Sequence, residues 1–335
     1  MMPLLLPLYV AAGVLLACLA SAASASTSAA QTEAARTLPA SSRADVSACE
    51  LAANRDVAGT LRAFMLFVDF PDAPATGAGG ETPQSLRDFF LPAAAEWYAQ
   101  SSYGALALDV TADVSRFHRM PAASTSYGWE RGLAADTHYR YIQDALDARR
   151  GAVPPTDVLY VAPTARARAL SFSPTFMGSV AARGGAHVAR KAVTFGLDAY
   201  EAWGALVLNH ETGHAMCLAD YYPASGAAGL HWRLGWLADD QVDCVAAAPG
   251  STTHALTPLA RAGGPKAVVV RRDGANALVA ELRAASGLDA AACAAGVLLY
   301  TVLRGTRSYT LADWGVTVTV TKETADSVEI KVEVS

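Results

Sequence analysis

The 335-residue chain predicts an α+β fold: a domain with a mixed sheet and one helix bearing paired histidines, then a small β-sandwich-like module. Three observations carry this. Buried-strand runs and helical stretches interleave up to about residue 245. One of the helical stretches sets two histidines four residues apart. From about residue 246 the texture changes to short β-branched segments separated by Gly, Asp and Asn turns.

The amino terminus decides the expected compartment. Leu4-Leu5-Leu6 through Leu19-Ala20 is an apolar run, and Ala20 with Ala22, or Ala23 with Ala25, fits the small-residue positions of a signal-peptidase site. Residues 1–25 therefore read as a signal peptide and the mature protein as secreted, with no stable membrane association. A signal anchor is the rival, because the run approaches a membrane span in length and carries no Lys or Arg before it. Of the five cysteines, Cys18 leaves with the signal, and Cys49, Cys217, Cys244 and Cys293 could form two bridges with pairing open. The formal net charge is −5, and Arg166-Ala167-Arg168 is too short for a basic patch. A nucleic-acid partner is excluded on those grounds.

Residues 26–58, rich in Ala, Ser and Thr, read as a flexible leader or short pro-segment. The folded domain then spans 59–245. Leu61 to Phe70 is a buried strand closed by Pro71-Asp72. Thr82-Pro83-Gln84-Ser85 opens a helical region with proline at a tolerated first-turn position, running through Phe89-Phe90 and Glu96-Trp97-Tyr98 to Ser101-Ser102-Tyr103-Gly104. Ala105 to Val110 is a strand able to pair with the first. A helix over roughly 135–150 carries Tyr139, Ile142 and Leu146 on one side and stops at Gly151. Asp157 to Ala162 is a second buried strand, and 163–187 is loop-like. Val188 to Phe195 reads as an edge strand, suited to pairing with an extended peptide. Asp198-Ala199-Tyr200-Glu201 resembles a capping box ahead of a long helix that sets Trp203, Val207, His210, His214 and Cys217 on one broad face. In the second domain, 246–335, strands are expected at 266–272, 277–283, 296–303, 315–321 and 328–334, the last two alternating as antiparallel strands do.

The chemistry concentrates in His210-Glu211-Thr212-Gly213-His214 and, six residues on, Asp220. Histidines at i and i+4 share a helix face and reach one ion. Glu211, one residue round, is placed to deprotonate a metal-bound water. Asp220 would be the third ligand after a turn, leaving a fourth position open. Zinc is the expected metal; calcium is a further candidate cation with no readable site. His118, His138, His187 and His254 lack ligand spacing. Gly178-Ser179 and Ser171-Phe172-Ser173 lack the context of a nucleophile, and no glycine-rich nucleotide motif is present.

These residues resemble the immune inhibitor A family of secreted zinc metallopeptidases, whose motif is HExGHxxGxxD followed by tyrosine. The likeness extends to Leu66-Phe67-Val68-Asp69-Phe70-Pro71-Asp72, Glu96-Trp97-Tyr98 and Ser101-Ser102-Tyr103-Gly104-Ala105-Leu106 before the motif. After it come Trp232-Arg233-Leu234-Gly235-Trp236-Leu237, Ala280-Glu281-Leu282-Arg283 and Gly296 to Tyr300. The resemblance implies a zincin-like, metzincin-type domain and an endopeptidase acting on proteins or peptides, with His210, His214 and Asp220 as ligands and Glu211 as base.

Two departures stand out. Where the family has glycine after the motif, this chain has Cys217. A sharp turn there costs a cysteine about 1 kcal/mol or more. If the helix continues instead, Cys217 joins the histidine face, either packing as a small apolar residue or touching the metal. The family's methionine turn is also missing, since Tyr221 to Leu230 is short, rich in Ala and Gly, and holds no methionine. Tyr221, Tyr222 and His231 are candidate oxyanion donors, and His231 is a substitute third ligand. Three readings stand: a secreted zinc endopeptidase, a non-catalytic zinc-binding relative, and an extracellular binding module. Oligomeric state is not readable.

Overall fold

The computed structural model describes residues 58–76, 80–218, 231, 234–246, 253–271, 276–291, 295–303, 308–311, 316–323 and 328–334. The expected signal peptide, nearly all of the leader, Cys49, Cys293, and the segment holding Asp220, Tyr221 and Tyr222 lie outside the described residues. The protein is mixed α+β, and its contacts divide it into two compact units.

The first unit is built on strands β1 (Gly59–Asp69), β2 (Leu106–Ala112), β3 (His118–Arg119), β4 (Thr156–Pro163), β5 (Thr175–Phe176), β6 (Val180–Ala181) and β7 (His187–Thr194). They form a seven-stranded sheet in the order β2-β1-β4-β7-β5, with β3 beside β1 and β6 beside β7. The pairings of β1 with β2, β3 and β4, and of β4 with β7, are parallel; β5 and β6 run antiparallel to β7. The strand expected at the edge, β7, is therefore interior, because two short strands from the stretch read as loop lie along its outer side. A two-residue strand carries no readable period, which is why β5 and β6 escape a sequence reading.

Along β1, Ala63, Met65 and Phe67 enter one buried cluster while Phe64, Leu66 and Val68 enter another. A central strand covered on both faces needs apolar side chains at successive positions, and that need explains the unbroken run. Helix α1 (Pro83–Phe90) and helix α2 (Ala93–Ser101) lie on the first face, contributing Leu86, Phe90, Ala94 and Tyr98. Helix α3 (Ala135–Arg149) lies on the second with Tyr141, Ile142, Ala145 and Leu146. The region expected to be helical from Thr82 onward is two helices, because Pro92 has no N–H to donate and ends the first. Thr82 Oγ1 accepts from Ser85 N at 3.0 Å and Ser85 Oγ accepts from Thr82 N at 2.8 Å, closing the start of α1.

At the end of β1, Asp69 is buried. Its carboxylate accepts from Arg119 Nε at 2.8 Å, Arg119 Nη2 at 2.7 Å and Ala75 N at 2.9 Å, which offsets its loss of water.

The second unit contains a four-stranded sheet and a three-stranded sheet. Strands β8 (Val242–Ala246), β9 (Ala267–Arg271), β10 (Asn276–Arg283) and β11 (Gly296–Leu303) run in the order β11-β10-β9-β8. Only β8 and β9 are parallel among them. Strands β12 (Ser308–Leu311), β13 (Val316–Glu323) and β14 (Val328–Val334) form an antiparallel meander. The alternating patterns of 315–321 and 328–334 thus pair with each other. Lys266, the residue before β9, is buried, and its Nζ donates to Thr257 Oγ1 at 2.8 Å and Pro258 O at 3.0 Å.

Candidate metal centre

Helix α4 (Ala205–Ala215) carries the motif. The single long helix expected from Asp198 is interrupted: Asp198 caps a π-helical turn, Ala199–Trp203, and Gly204 then breaks the run with φ +57°. Glycine takes that conformation without a Cβ penalty, so α4 starts afresh at Ala205. Trp203 lies before the break and is exposed, outside the histidine face expected of it.

Val207, Leu208, Glu211, Thr212 and Ala215 are buried, an i, i+1, i+4, i+5, i+8 stripe facing the sheet. His210 and His214 sit at the edge of that stripe, partly exposed. Three hydrogen bonds fix the helix from below. Tyr98 on α2 donates its hydroxyl to Asn209 O at 2.6 Å. Tyr160 on β4 shares a hydrogen bond with Thr212 Oγ1 at 2.7 Å. Thr175 on β5 donates to Glu211, with its Oγ1 2.7 Å from Oε2 and 2.9 Å from the backbone oxygen of the same residue. Tyr98 also meets Trp236 edge-on, ring centroids 6.3 Å apart.

The two imidazoles converge. His210 Nε2 and His214 Nε2 are 3.2 Å apart, with the rings at 85°. His214 Nδ1 lies 2.7 Å from Leu218 O. A carbonyl oxygen only accepts, so Nδ1 carries the proton and Nε2 presents its lone pair toward His210. Donor atoms of His210, Glu211 and His214 all lie within 4.8 Å of one another, a group able to hold a metal ion. The two imidazole nitrogens, one of them already oriented through its other ring nitrogen, are donors suited to one metal ion, with the Glu211 carboxylate beside them. Burial pushes the Glu211 carboxyl above its ordinary value; His214, the Thr175 hydroxyl and His210 pull it back only in part.

The chain does turn after the motif. Cys217 has φ +68°, Cys217 N donates to His214 O at 2.7 Å, and Leu218 N donates to Gly213 O at 3.0 Å. This is a Schellman end with cysteine at the place usually held by glycine. Cys217 and Cys244 are both disulfide-bonded. The helix does not continue onto Cys217, and a bridged sulfur has no thiolate to offer a metal, so Cys217 acts as one of the bridge-forming cysteines and not as a metal contact.

The remaining histidines each have surroundings of their own. His231 belongs to the second unit, where burial and then Arg283 pull its pKa down to about 4. His118 is buried against Asp113 at 3.1 Å, His138 against Thr194 Oγ1 at 2.8 Å, and His254 pairs with Asp243 at 2.7 Å. Sequence reasoning missed Thr175, Tyr160 and the Leu218 carbonyl. Only Tyr98, in the Glu96-Trp97-Tyr98 element, carried any prior signal. No helix among the described residues is long and apolar enough to cross a membrane. Compared with models of known protein families and with curated proteins, the chain matches none.

Proposed function

We propose that the protein is a secreted zinc-dependent endopeptidase of the immune inhibitor A kind, acting on proteins or peptides and built on a zincin-like domain. The observation that carries this reading is the 3.2 Å approach of His210 Nε2 to His214 Nε2 beside the buried Glu211. The ligand set is His210, His214 and, outside the described residues, Asp220. Zinc bound there supplies an acidified water and a Lewis acid for the scissile carbonyl.

Glu211 is the general base. Its Oε2 is held by Thr175, which leaves Oε1, 3.9 Å from His210 Nε2, to accept the proton. A carboxyl raised by burial takes up that proton more readily than an exposed one and returns it to the departing amine. Tyr98 ties the helix to α2 and Tyr160 ties it to β4, and these bonds, on either side of His210 and Glu211, position the base and the imidazoles. Disulfide-bonded cysteines in the chain agree with an oxidising compartment and hence with export.

The test pairs metal analysis of the purified full chain with casein hydrolysis. Wild type binds zinc at one equivalent and cleaves casein; Glu211→Gln keeps the zinc and loses turnover by roughly 10²-fold or more. Zinc without casein cleavage in the wild type would leave a non-catalytic zinc-binding relative. Absence of zinc would leave an extracellular binding module.

A further inference from the structure

We infer that the disulfide at Cys217 is a redox-sensitive clamp on the metal centre, holding the left-handed turn through which Leu218 orients His214. This rests on the zinc reading above and adds a regulator to the same site.

The chain has one residue, Cys217, between the cap of α4 at Met216 and the carbonyl that His214 uses. That residue adopts φ +68°, a conformation that crowds the Cβ of any L-residue against its own carbonyl. Most helices that end this way place glycine there. Tyr103 and Arg150 also take positive φ, +54° and +56°, at helix ends, so the bonds of the turn itself bear part of the cost; Cys217 differs from both in that its side chain is bridged, which adds a tether to those bonds. Tethering its sulfur fixes where Cβ sits, and Cβ fixes the turn. The turn in turn sets the 2.7 Å bond from His214 Nδ1 to Leu218 O, which locks the tautomer presenting Nε2.

Cutting the bridge removes the tether. A dithiol reductant would do so by exchange: its two sulfurs join as a disulfide, and the two protein sulfurs take the two electrons and two protons and become thiols. Cys217 then relaxes toward negative φ, Leu218 O leaves His214, and zinc is held less well. Losing such an outer-shell partner weakens metal binding by about 10- to 100-fold.

The experiment measures the zinc Kd of the full chain by chelator competition, together with amide exchange at Leu218, before and after treatment with a water-soluble phosphine. The phosphine takes oxygen from water to become its oxide while the protein disulfide is reduced. Expected results are a Kd weakened by roughly tenfold or more and faster exchange at Leu218. Cys217→Ala should behave like the reduced wild type. Cys217→Gly, which adopts the turn unaided, should stay within about twofold of oxidised wild type and ignore the phosphine. The inference is overturned if reduced wild type and Cys217→Ala keep both affinity and protection, or if Cys217→Gly is as weak as Cys217→Ala. Should the oxidised chain bind no zinc at all, the functional reading falls, and exchange at Leu218 in the three proteins still decides whether the bridge holds the turn.

Discussion

Tyr98 donates its hydroxyl proton to the backbone oxygen of Asn209 at 2.6 Å, tying α2 to the residue just before His210. The ring is buried and the bond joins residues 111 apart in sequence, so it fixes tertiary position rather than local helix geometry. Tyr98→Phe keeps the packing against Trp236 and removes only the donor. The expected loss is about 1 kcal/mol of stability, read by urea unfolding, because the helical carbonyl retains its place in the ladder. A loss below a few tenths would mean that packing alone seats the helix.

Thr175 holds the Oε2 of Glu211 from the sheet edge. Thr175→Val has nearly the same shape without the hydroxyl, and it should lower kcat by about tenfold, the equivalent of one hydrogen bond to a charged group. Zinc affinity should not change, because Thr175 touches neither imidazole nitrogen in the described contacts. Thr175→Ser should recover most of the rate. Equal kcat for Val and Thr would show that Glu211 is positioned by α4 alone.

How far the sequence could be read depended on whether a residue's role is local. The run Phe64 to Val68 announced a doubly covered strand because every position is apolar, and His210 and His214 announced a shared face because four residues make one helical turn. Thr175 reaches Glu211 only because β7 carries β5 beside it, a pairing between residues far apart with no periodic trace. Gly204 looked like an ordinary helix residue until its positive φ split the helix. Cys217 was the reverse case: the rule that cysteine resists such a turn is correct, but the disulfide that accompanies it is a long-range constraint that spacing cannot show. Asp220 remains a sequence expectation, outside the described residues.

Removing the metal should loosen α4 at its C-terminal end first. The two imidazoles approach closely, and on the proposed zinc reading an ion held by them would stabilise the folded chain by linkage, about 4 kcal/mol when free zinc exceeds its Kd a thousandfold. Dialysis against a chelator should therefore lower Tm, and zinc should restore it. A His210→Ala, His214→Ala double variant should show no response to either treatment; a Tm that still follows zinc in that variant would place the ion elsewhere.

Part of the acid sensitivity of the first unit should trace to the buried His138. His138 on α3 is enclosed by Trp129 and Phe176, with ring centroids 5.7 and 5.5 Å away, and its Nε2 meets Thr194 Oγ1 at 2.8 Å. Burial pulls its pKa from 6.5 down to about 4. Above pH 6.5 the ring is neutral in both folded and unfolded chains and contributes no pH dependence. Between 6.5 and 4 the unfolded chain binds a proton that the folded one refuses, so stability falls as pH falls; below 4 both bind it and the loss levels off. The full loss is roughly 3 kcal/mol. Asp113 acts in a lower window: burial works to raise its pKa, but the Ser115 hydrogen bonds, Arg149 and His118 bring it to about 2, so its contribution is lost from 3.8 downward. Protection of the α3 amides at pH 7, 5.5 and 4.5 separates the two, since of this pair it is His138 that titrates across that range. His138→Gln should flatten the profile there, and an unchanged slope in that variant would assign the acid sensitivity to another group.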